Sequence, residues 1–245
     1  MEFQFCIMVK KLDKIEIIFP LYNEENRLNN LFESIKKFEK KKYFKDINFV
    51  FVNDGSSDNS LNLLKKNKKD NFKIISYKRN MGKGYAIKKA IKCSNYDWIL
   101  TIDVDLSVEL NEIVNWNEEI EFYKNKCYFG SRNHKKSKVK SIFKRRIIGK
   151  MMRYLLKFFL KITMEDTQCG FKLYNKSYAR EIFTQLNTNG FAHDIELVLL
   201  LKKRNIEVIE LPVSWQHHDG SKVNIFADSF KFLLTIFHLK QKFFN

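Results

Sequence analysis

Glycine and proline are scarce in this 245-residue chain, at eight and two residues. Collagen-like, Pro-rich and Gly/Ser-linker organisations are thereby excluded, and clustered glycines carry positional information. The four cysteines, Cys6, Cys93, Cys127 and Cys169, show no paired spacing. That argues against a disulfide framework and a zinc site, and fits a reducing compartment. No run reaches the roughly 18 uncharged apolar residues that a spanning helix needs. Met1 to Lys14 lacks the apolar core and cleavage pattern of a signal peptide. The expectation is a cytoplasmic protein, free or resting on a membrane surface. Acidic residues are in deficit, 28 against 45 Lys and Arg, for a formal charge of +17. Such an excess favours anionic partners, although a coding bias toward Lys, Asn, Ile and Phe produces it too, so the local distribution decides.

With 44% hydrophobic and 15% aromatic residues, the chain can fill the core of one large α/β domain. Ile15 to Phe19, Ile47 to Val52, Phe72 to Tyr77 and Trp98 to Ile102 read as four strands. Helical patterns lie between them, the first through Leu28, Leu31, Phe32, Ile35 and Phe38 with Asn23 as its cap. A further helix over roughly 109–124 leads into Cys127-Tyr128-Phe129. Strands alternating with helices at this spacing predict a mainly parallel, doubly wound sheet. Between Glu121 and Glu165 there is no acidic residue, while fourteen are basic. There Arg146, Lys150, Arg153, Lys157 and Lys161 recur every three or four positions among apolar residues, a helix with a narrow cationic stripe. The last twenty residues repeat the design, with Asp228, Lys231, Thr235, His238 and Lys242 against an apolar remainder. Residues 1–225 are expected as one domain, and 226–245 as an appended amphipathic helix. For both helices the choice lies between packing on the sheet and lying in a bilayer interface with basic side chains reaching toward headgroups.

In an open parallel sheet, ligands bind beyond the carboxyl ends of the strands. Four strand ends carry polar clusters: Asn23-Glu24-Glu25, Asn53-Asp54, Arg79-Asn80 with Gly82-Lys83-Gly84, and Asp103-Val104-Asp105. Two carboxylates one residue apart can meet a hard divalent cation, which in turn bridges diphosphate oxygens. Asp54 is placed to accept hydrogen bonds from a base or ribose. The Gly82 turn permits close backbone approach at a helix mouth, serving either turn geometry or an anionic ligand. Each piece alone is weak: an Asp-x-Asp triplet is commonly a solvated loop, and residues 53–58 an ordinary turn. Four such clusters in this order are not an expected coincidence.

These residues resemble the family 2 glycosyltransferases of the GT-A fold. The resemblance rests on Phe19-Pro20-Leu21-Tyr22-Asn23-Glu24-Glu25, Val52-Asn53-Asp54-Gly55-Ser56-Ser57-Asp58, Arg79 to Gly84 and Asp103-Val104-Asp105-Leu106-Ser107. Gly130-Ser131-Arg132, Asp166 to Tyr174, Phe191 to Leu197 and Trp215 to Val223 make it similar to the polyprenyl-phosphate branch, dolichyl-phosphate β-glucosyltransferases included. It spans about residues 14–225. Two departures stand out: a common Asp-Asp pair is Asn53-Asp54 here, and the spanning segment usual in eukaryotic glucosyl members is lacking.

The resemblance implies attack on the anomeric carbon of a nucleotide sugar, UDP-glucose above all, by the phosphate of a polyprenyl lipid, with inversion. It implies Mg2+ or Mn2+ at Asp105, assisted by Asp103, and a donor side built from Pro20, Tyr22, Asn23, Glu24, Asp54, Asn80, Lys83 and Gln168. The acceptor phosphate falls to Arg132, Arg145, Arg146, Lys150, Ser221 and Lys222, of which Arg132 and Lys222 lie within matched motifs. Asp194 and Glu196 position the acceptor, act as base, or cap a helix at 194–203; Cys169 is structural or shapes the sugar pocket. Partners are then the nucleotide sugar, the lipid phosphate and the cytoplasmic face of a membrane, with no nucleic acid and no obligate protein partner. Two rivals follow different residues. A transferase using a hydroxyl acceptor needs a base such as Asp194, and a nucleic-acid-binding protein leaves the strand-end acids unexplained, since they repel phosphates.

Overall fold

Period-two alternation explains the centre of the molecule. In the computed structural model, residues 8–140, 143–190, 192–217 and 225–244 are described, without the side chains of 143–148 and 225–231. Two short strands aside, β1 (Met8–Val9) and β6 (Phe122–Tyr123), the sequence reads β2 (Lys14–Leu21), α1 (Glu25–Lys40), β3 (Asp46–Asp54), α2 (Ser60–Lys66), β4 (Phe72–Tyr77), α3 (Lys83–Cys93), β5 (Trp98–Thr101) and α4 (Glu112–Glu119). Then come β7 (Lys126–Ser131), β8 (Lys138–Lys140), α5 (Phe143–Leu160), β9 (Lys172–Asn175), α6 (Lys176–Gln185), α7 (His193–Lys203), β10 (Glu207–Pro212), β11 (Ser214–Gln216) and α8 (Ile225–Phe244). Ile15, Ile17 and Phe19 face one core with Phe49 and Phe51, while Ile18, Val50 and Val52 face the other. Both faces are apolar because helices cover both, as a parallel sheet requires. Leu28, Leu31 and Ile35 of α1 and Trp116 of α4 close the first core, and α3, α6 and α7 close the second.

The seven strands run β10-β7-β9-β5-β2-β3-β4. All pairs are parallel except those of β9, which lies antiparallel to both β5 and β7. The four strands anticipated from sequence are therefore adjacent, and their carboxyl ends open on one edge. Pro20 falls beyond the β2–β5 ladder, which ends at Ile18 and Thr101, so its missing N–H costs no bond on that side. The helix expected over 109–124 is shorter, because Ile120 is extended and Phe122-Tyr123 pairs with Met8-Val9. Asn23 does not cap α1: Glu24 holds that position without a side-chain bond.

Helices α5 and α8 pack together, Phe159 against Phe237 with ring centroids 5.6 Å apart. Leu156, Leu160, Ile236 and Leu239 enter the second core. Outward, Met151, Tyr154, Phe158, Leu234 and Phe237 stay exposed, Tyr154 and Phe158 at 69% each. Among the described residues no helix is long and apolar enough to cross a membrane.

Candidate active site

Strand order reverses between β2 and β5, and the Asp103 to Ser107 turn sits at that switch point, where α/β sheets bind ligands. The turn closes through the Leu106 amide on the Asp103 carbonyl at 3.1 Å, with Leu106 left-handed at φ 50°. The Asp105 carboxylate accepts the Ser107 amide at 2.9 Å. The Ser107 carbonyl accepts the Gln216 amide at 2.8 Å, which ties the turn to β11. Lys83 Nζ lies 2.6 Å from Asp103 Oδ1. Burial pulls the Lys83 pKa down, but Asp103 and Asp194 outweigh it, so the ammonium is held charged. Gly170 backs onto the other Asp103 oxygen; a Cβ there would collide with the carboxylate.

The donor-side loops interlock before any ligand is considered. Asn23, at φ 55°, accepts the Ser57 amide at 2.8 Å, joining the β2 and β3 loops. Glu24 holds Arg27 at 2.9 Å and donates its amide to Ser60 at 2.8 Å. Asp54, expected to face a base or ribose, is buried and accepts the Met81 and Gly82 amides at 2.7 and 2.8 Å. Its observed role is to pin the Gly82 turn. Of the two uses left open for that turn, geometry is what the bonds express: the Asn189 carbonyl accepts the Gly84 and Tyr85 amides at 2.7 and 3.3 Å. These are the helix-mouth donors an anion would otherwise use. Asn80 and Tyr22 are exposed on the rim, and Pro20 and Gln168 half-buried.

Across the turn lie the cations. Arg132 makes a bidentate pair with buried Asp166, Nε at 2.6 Å and Nη2 at 2.8 Å, and stacks over Trp215 at 5.8 Å. Burial opposes both charges of this pair; mutual attraction wins, raising the arginine pKa and lowering that of Asp166. Glu210 of β10 accepts the Glu165 and Asp166 amides at 2.8 and 2.9 Å, anchoring the loop that presents Asp166. Beneath, Lys172 donates to the Thr167 carbonyl at 3.0 Å and pairs with Asp194. Both side chains are almost fully buried. Burial raises the Asp194 pKa, yet His193, Lys172 and Lys83 together hold it below the ordinary carboxylate value. Asp194 therefore neither caps α7, whose N-cap is Ala192 without a side-chain bond, nor faces solvent. Cys169 packs under Gly130, and burial pushes its thiol up to about 12, so it is structural and unreactive.

The donor set also bears on a metal. Among the described residues no group of three or more His, Cys, Asp or Glu converges, which does not suit zinc. Two partly exposed carboxylates two residues apart do suit a hard cation that keeps waters and takes phosphate oxygens.

Comparison with known proteins decides the family. The model described as "Glycosyl transferase family 2" matches residues 16–183. The chain belongs to glycosyl transferase family 2. It is similar to a dolichyl-phosphate beta-glucosyltransferase of Dictyostelium discoideum, at 31% identity over 97% of this chain and 82% of that protein. The enzyme of that name from Saccharomyces cerevisiae is 31% identical over 89% and 71%, and that from Homo sapiens 29% over 86% and 69%. In fold, this glycosyltransferase is similar to glucosyl-3-phosphoglycerate synthase of Mycobacterium tuberculosis, solved with Mn2+, UDP and glucosyl-3-phosphoglycerate. There the TM-score is 0.65 at 14% identity, over 93% of this chain and 80% of that one. Mannosyl-3-phosphoglycerate synthase of Rubrobacter xylanophilus gives 0.62 at 14%, over 94% and 74%.

Within this glycosyltransferase, Asp103 pairs with Lys83 and lies near enough to Arg132 to help hold its charge. Lys150 is exposed on α5, while the side chains of Arg145 and Arg146, and the whole of Ser221 and Lys222, lie outside the described residues. Sequence reasoning passed over Asp166, Lys172 and His193 as functional groups. For Lys172 a signal existed: a lone charge inside the apolar run Phe171-Lys172-Leu173-Tyr174. For the Arg132–Asp166 pair, 34 residues apart, local pattern offers none.

Proposed function

We propose that this glycosyltransferase moves glucose from UDP-glucose to a polyprenyl phosphate of the dolichyl type, with inversion, on the cytoplasmic face of a membrane. The state of Asp194 carries the acceptor assignment. A hydroxyl acceptor needs a base, and the candidate base is buried against Lys172 with a lowered pKa. A phosphate acceptor arrives already anionic and needs none. The relatives' names, and UDP in the fold neighbours, support the same donor and acceptor.

In this scheme Asp105 and Asp103 would hold Mg2+ or Mn2+, Asp103 with its Oδ1 also meeting Lys83. The ion, when bound, would offset the charge gained by the departing diphosphate. Asn23, Glu24, Asp54 and Asn80 shape and rim the nucleotide side, with Pro20, Tyr22 and Gln168. Arg132, kept rigid by Asp166, would meet the acceptor phosphate, a role the motifs also give Arg145, Arg146, Lys150, Ser221 and Lys222, and so draw two anions together against their repulsion. Free thiols at Cys93, Cys127 and Cys169 suit a reducing compartment. The deciding assay incubates the protein with radiolabelled nucleotide sugars, Mn2+ and short polyprenyl phosphates. Glucose label from the UDP donor entering the organic phase is expected; label confined to water-soluble acceptors would favour the hydroxyl rival.

The paired α5–α8 surface would seat the enzyme on the bilayer, residues 1–225 forming the catalytic domain and α8 an interfacial element packed on it. Tyr154 and Phe158 project beside Lys150, Lys157 and Lys161, an apolar patch edged by cations. Burying one such ring in lipid contributes about 1.5–3 kcal/mol, and each lysine near anionic lipid about 1 kcal/mol. Tyr154→Ser with Phe158→Ser should weaken pelleting with anionic vesicles at least about tenfold, without lowering the urea midpoint. Undiminished pelleting would remove α5 from the membrane surface.

A further inference from the structure

We propose that Lys242, in the last turn of α8, is a positioning residue for the donor-side turn Gly82–Tyr85, acting through Glu196 and the loop 187–190. The inference rests on the reading of that turn as part of the donor site. It starts from a charge in an unexpected place. Glu196 lies in the first turn of α7 and its side chain is 1% exposed. Its carboxylate accepts the Asn187 amide at 2.9 Å, the Thr188 amide at 2.6 Å and Lys242 Nζ at 2.6 Å, and the Thr188 side chain adds a further contact. Burial raises the Glu196 pKa, and Lys242, Thr188 through its amide and side chain, and the Asn187 amide more than reverse it.

From Glu196 the connection runs through backbone. The loop whose amides it holds presents the Asn189 carbonyl to the Gly84 and Tyr85 amides. Gly82, at φ 99°, lies so close to Asn189 that a Cβ would collide with its carbonyl oxygen. One residue on, Lys83 reaches Asp103 at 2.6 Å. The sequence of contacts is thus Lys242, Glu196, the 187–188 amides, the Asn189 carbonyl, the α3 mouth, and Lys83 on the metal-side carboxylate.

Packing does not substitute for the ion pair. A cavity of about 320 Å3 opens between the loop and α8, lined by Asn187, Thr188, Glu196, Leu234, Thr235 and His238. Without Lys242 the buried Glu196 carboxylate loses its one directly bonded cation among the described residues, which favours taking up a proton or moving toward the cavity. Either change weakens the grip on Asn187 and Thr188, and the Asn189 carbonyl follows. Since α8 also carries the exposed Phe237, the helix proposed to lie on lipid is the one that braces the donor turn.

The test compares wild type, Lys242→Met, Lys242→Arg, Glu196→Gln alone and with Lys242→Met, and Ile236→Ala, the last disturbing α8 packing without touching Glu196. Two readouts are taken: amide exchange by NMR, and affinity for UDP with Mn2+ by calorimetry. Lys242→Met should speed exchange at Thr188, Gly84 and Tyr85 and weaken UDP about tenfold, within the usual range of coupling between linked sites. Lys242→Arg should restore both, and Glu196→Gln, by removing the buried charge, should make the protein indifferent to Lys242→Met. Unchanged exchange at Gly84 and Tyr85 in Lys242→Met overturns the link, whatever UDP does. An equal effect from Ile236→Ala overturns the specific role of Lys242. Faster exchange in a protein whose wild type ignores UDP keeps the link and overturns the donor reading.

Discussion

Asp105→Asn is expected to reduce glucose transfer about a thousandfold or more while leaving the urea midpoint unchanged. The amide is isosteric and keeps an oxygen for the Ser107 amide, so the turn at 103–107 survives. What disappears is the negative charge that would hold a divalent cation against the leaving diphosphate. Losing one preorganised electrostatic contact of this kind costs about 10²–10³ in rate, and losing the ion itself costs several kcal/mol of transition-state stabilisation. Asp105 is only partly buried and pairs with no cation among the described residues, so stability should shift by no more than about 0.5 kcal/mol. The check is transfer into the organic phase at saturating Mn2+ or Mg2+, beside urea unfolding. A near-wild-type rate in saturating metal would remove Asp105 from the metal site.

Lys172→Met should be the most damaging single change to stability. Lys172 and Asp194 form an ion pair with side chains 2% and 6% exposed. Removing Lys172 takes away the ammonium that lies 4.9 Å over the Phe129 ring and leaves a buried carboxylate with His193, 3.2 Å away, as its remaining contact among the described residues. Breaking such a pair costs about 3–5 kcal/mol, to be read as a lowered urea midpoint. The pH dependence discriminates an ionic cause from a packing cause. In wild type the Asp194 pKa is depressed, so its contribution is complete at neutral pH and lost only as pH falls through the folded pKa, below the ordinary value of about 3.9. In the variant, burial is less opposed and that pKa rises. The variant's folded state then takes up a proton at a pH where the wild type does not, and the stability gap narrows on acidification below neutrality. A gap independent of pH would mean that methionine merely packs badly.

Sequence legibility followed the range of the interactions. The sheet was legible because Ile15 to Phe19 or Phe72 to Tyr77 alternate locally, and the four polar clusters because each follows its own strand. The antiparallel β9 was not, since direction depends on the path through α5 and the 161–171 loop rather than on Lys172 to Asn175. In the site, Asp103 and Lys83 were recognised as residues but not as partners. Asp54 was assigned to a ligand, and the Gly82-Lys83-Gly84 turn left open between ligand and turn geometry, from chemistry that the Met81 and Gly82 amides and the Asn189 carbonyl claim first. Pairings such as Arg132 with Asp166, or Glu196 with Lys242, join residues 34 and 46 positions apart, where no periodicity reports on contact.

The Asn189 carbonyl on the Gly84 and Tyr85 amides has a consequence for how the diphosphate is released. A fold that cradles phosphate in a ring of fixed backbone dipoles keeps its grip whatever the salt, because those dipoles are part of the scaffold. Here that ring is closed from within, and in the proposed scheme the negative charge would be met by the ion and by Lys83, a side chain already shared with a carboxylate. Such contacts can be handed back: as the nucleotide departs, Lys83 returns to Asp103 instead of being stranded. The enzyme would hold its spent donor loosely, with a grip that ionic strength can adjust.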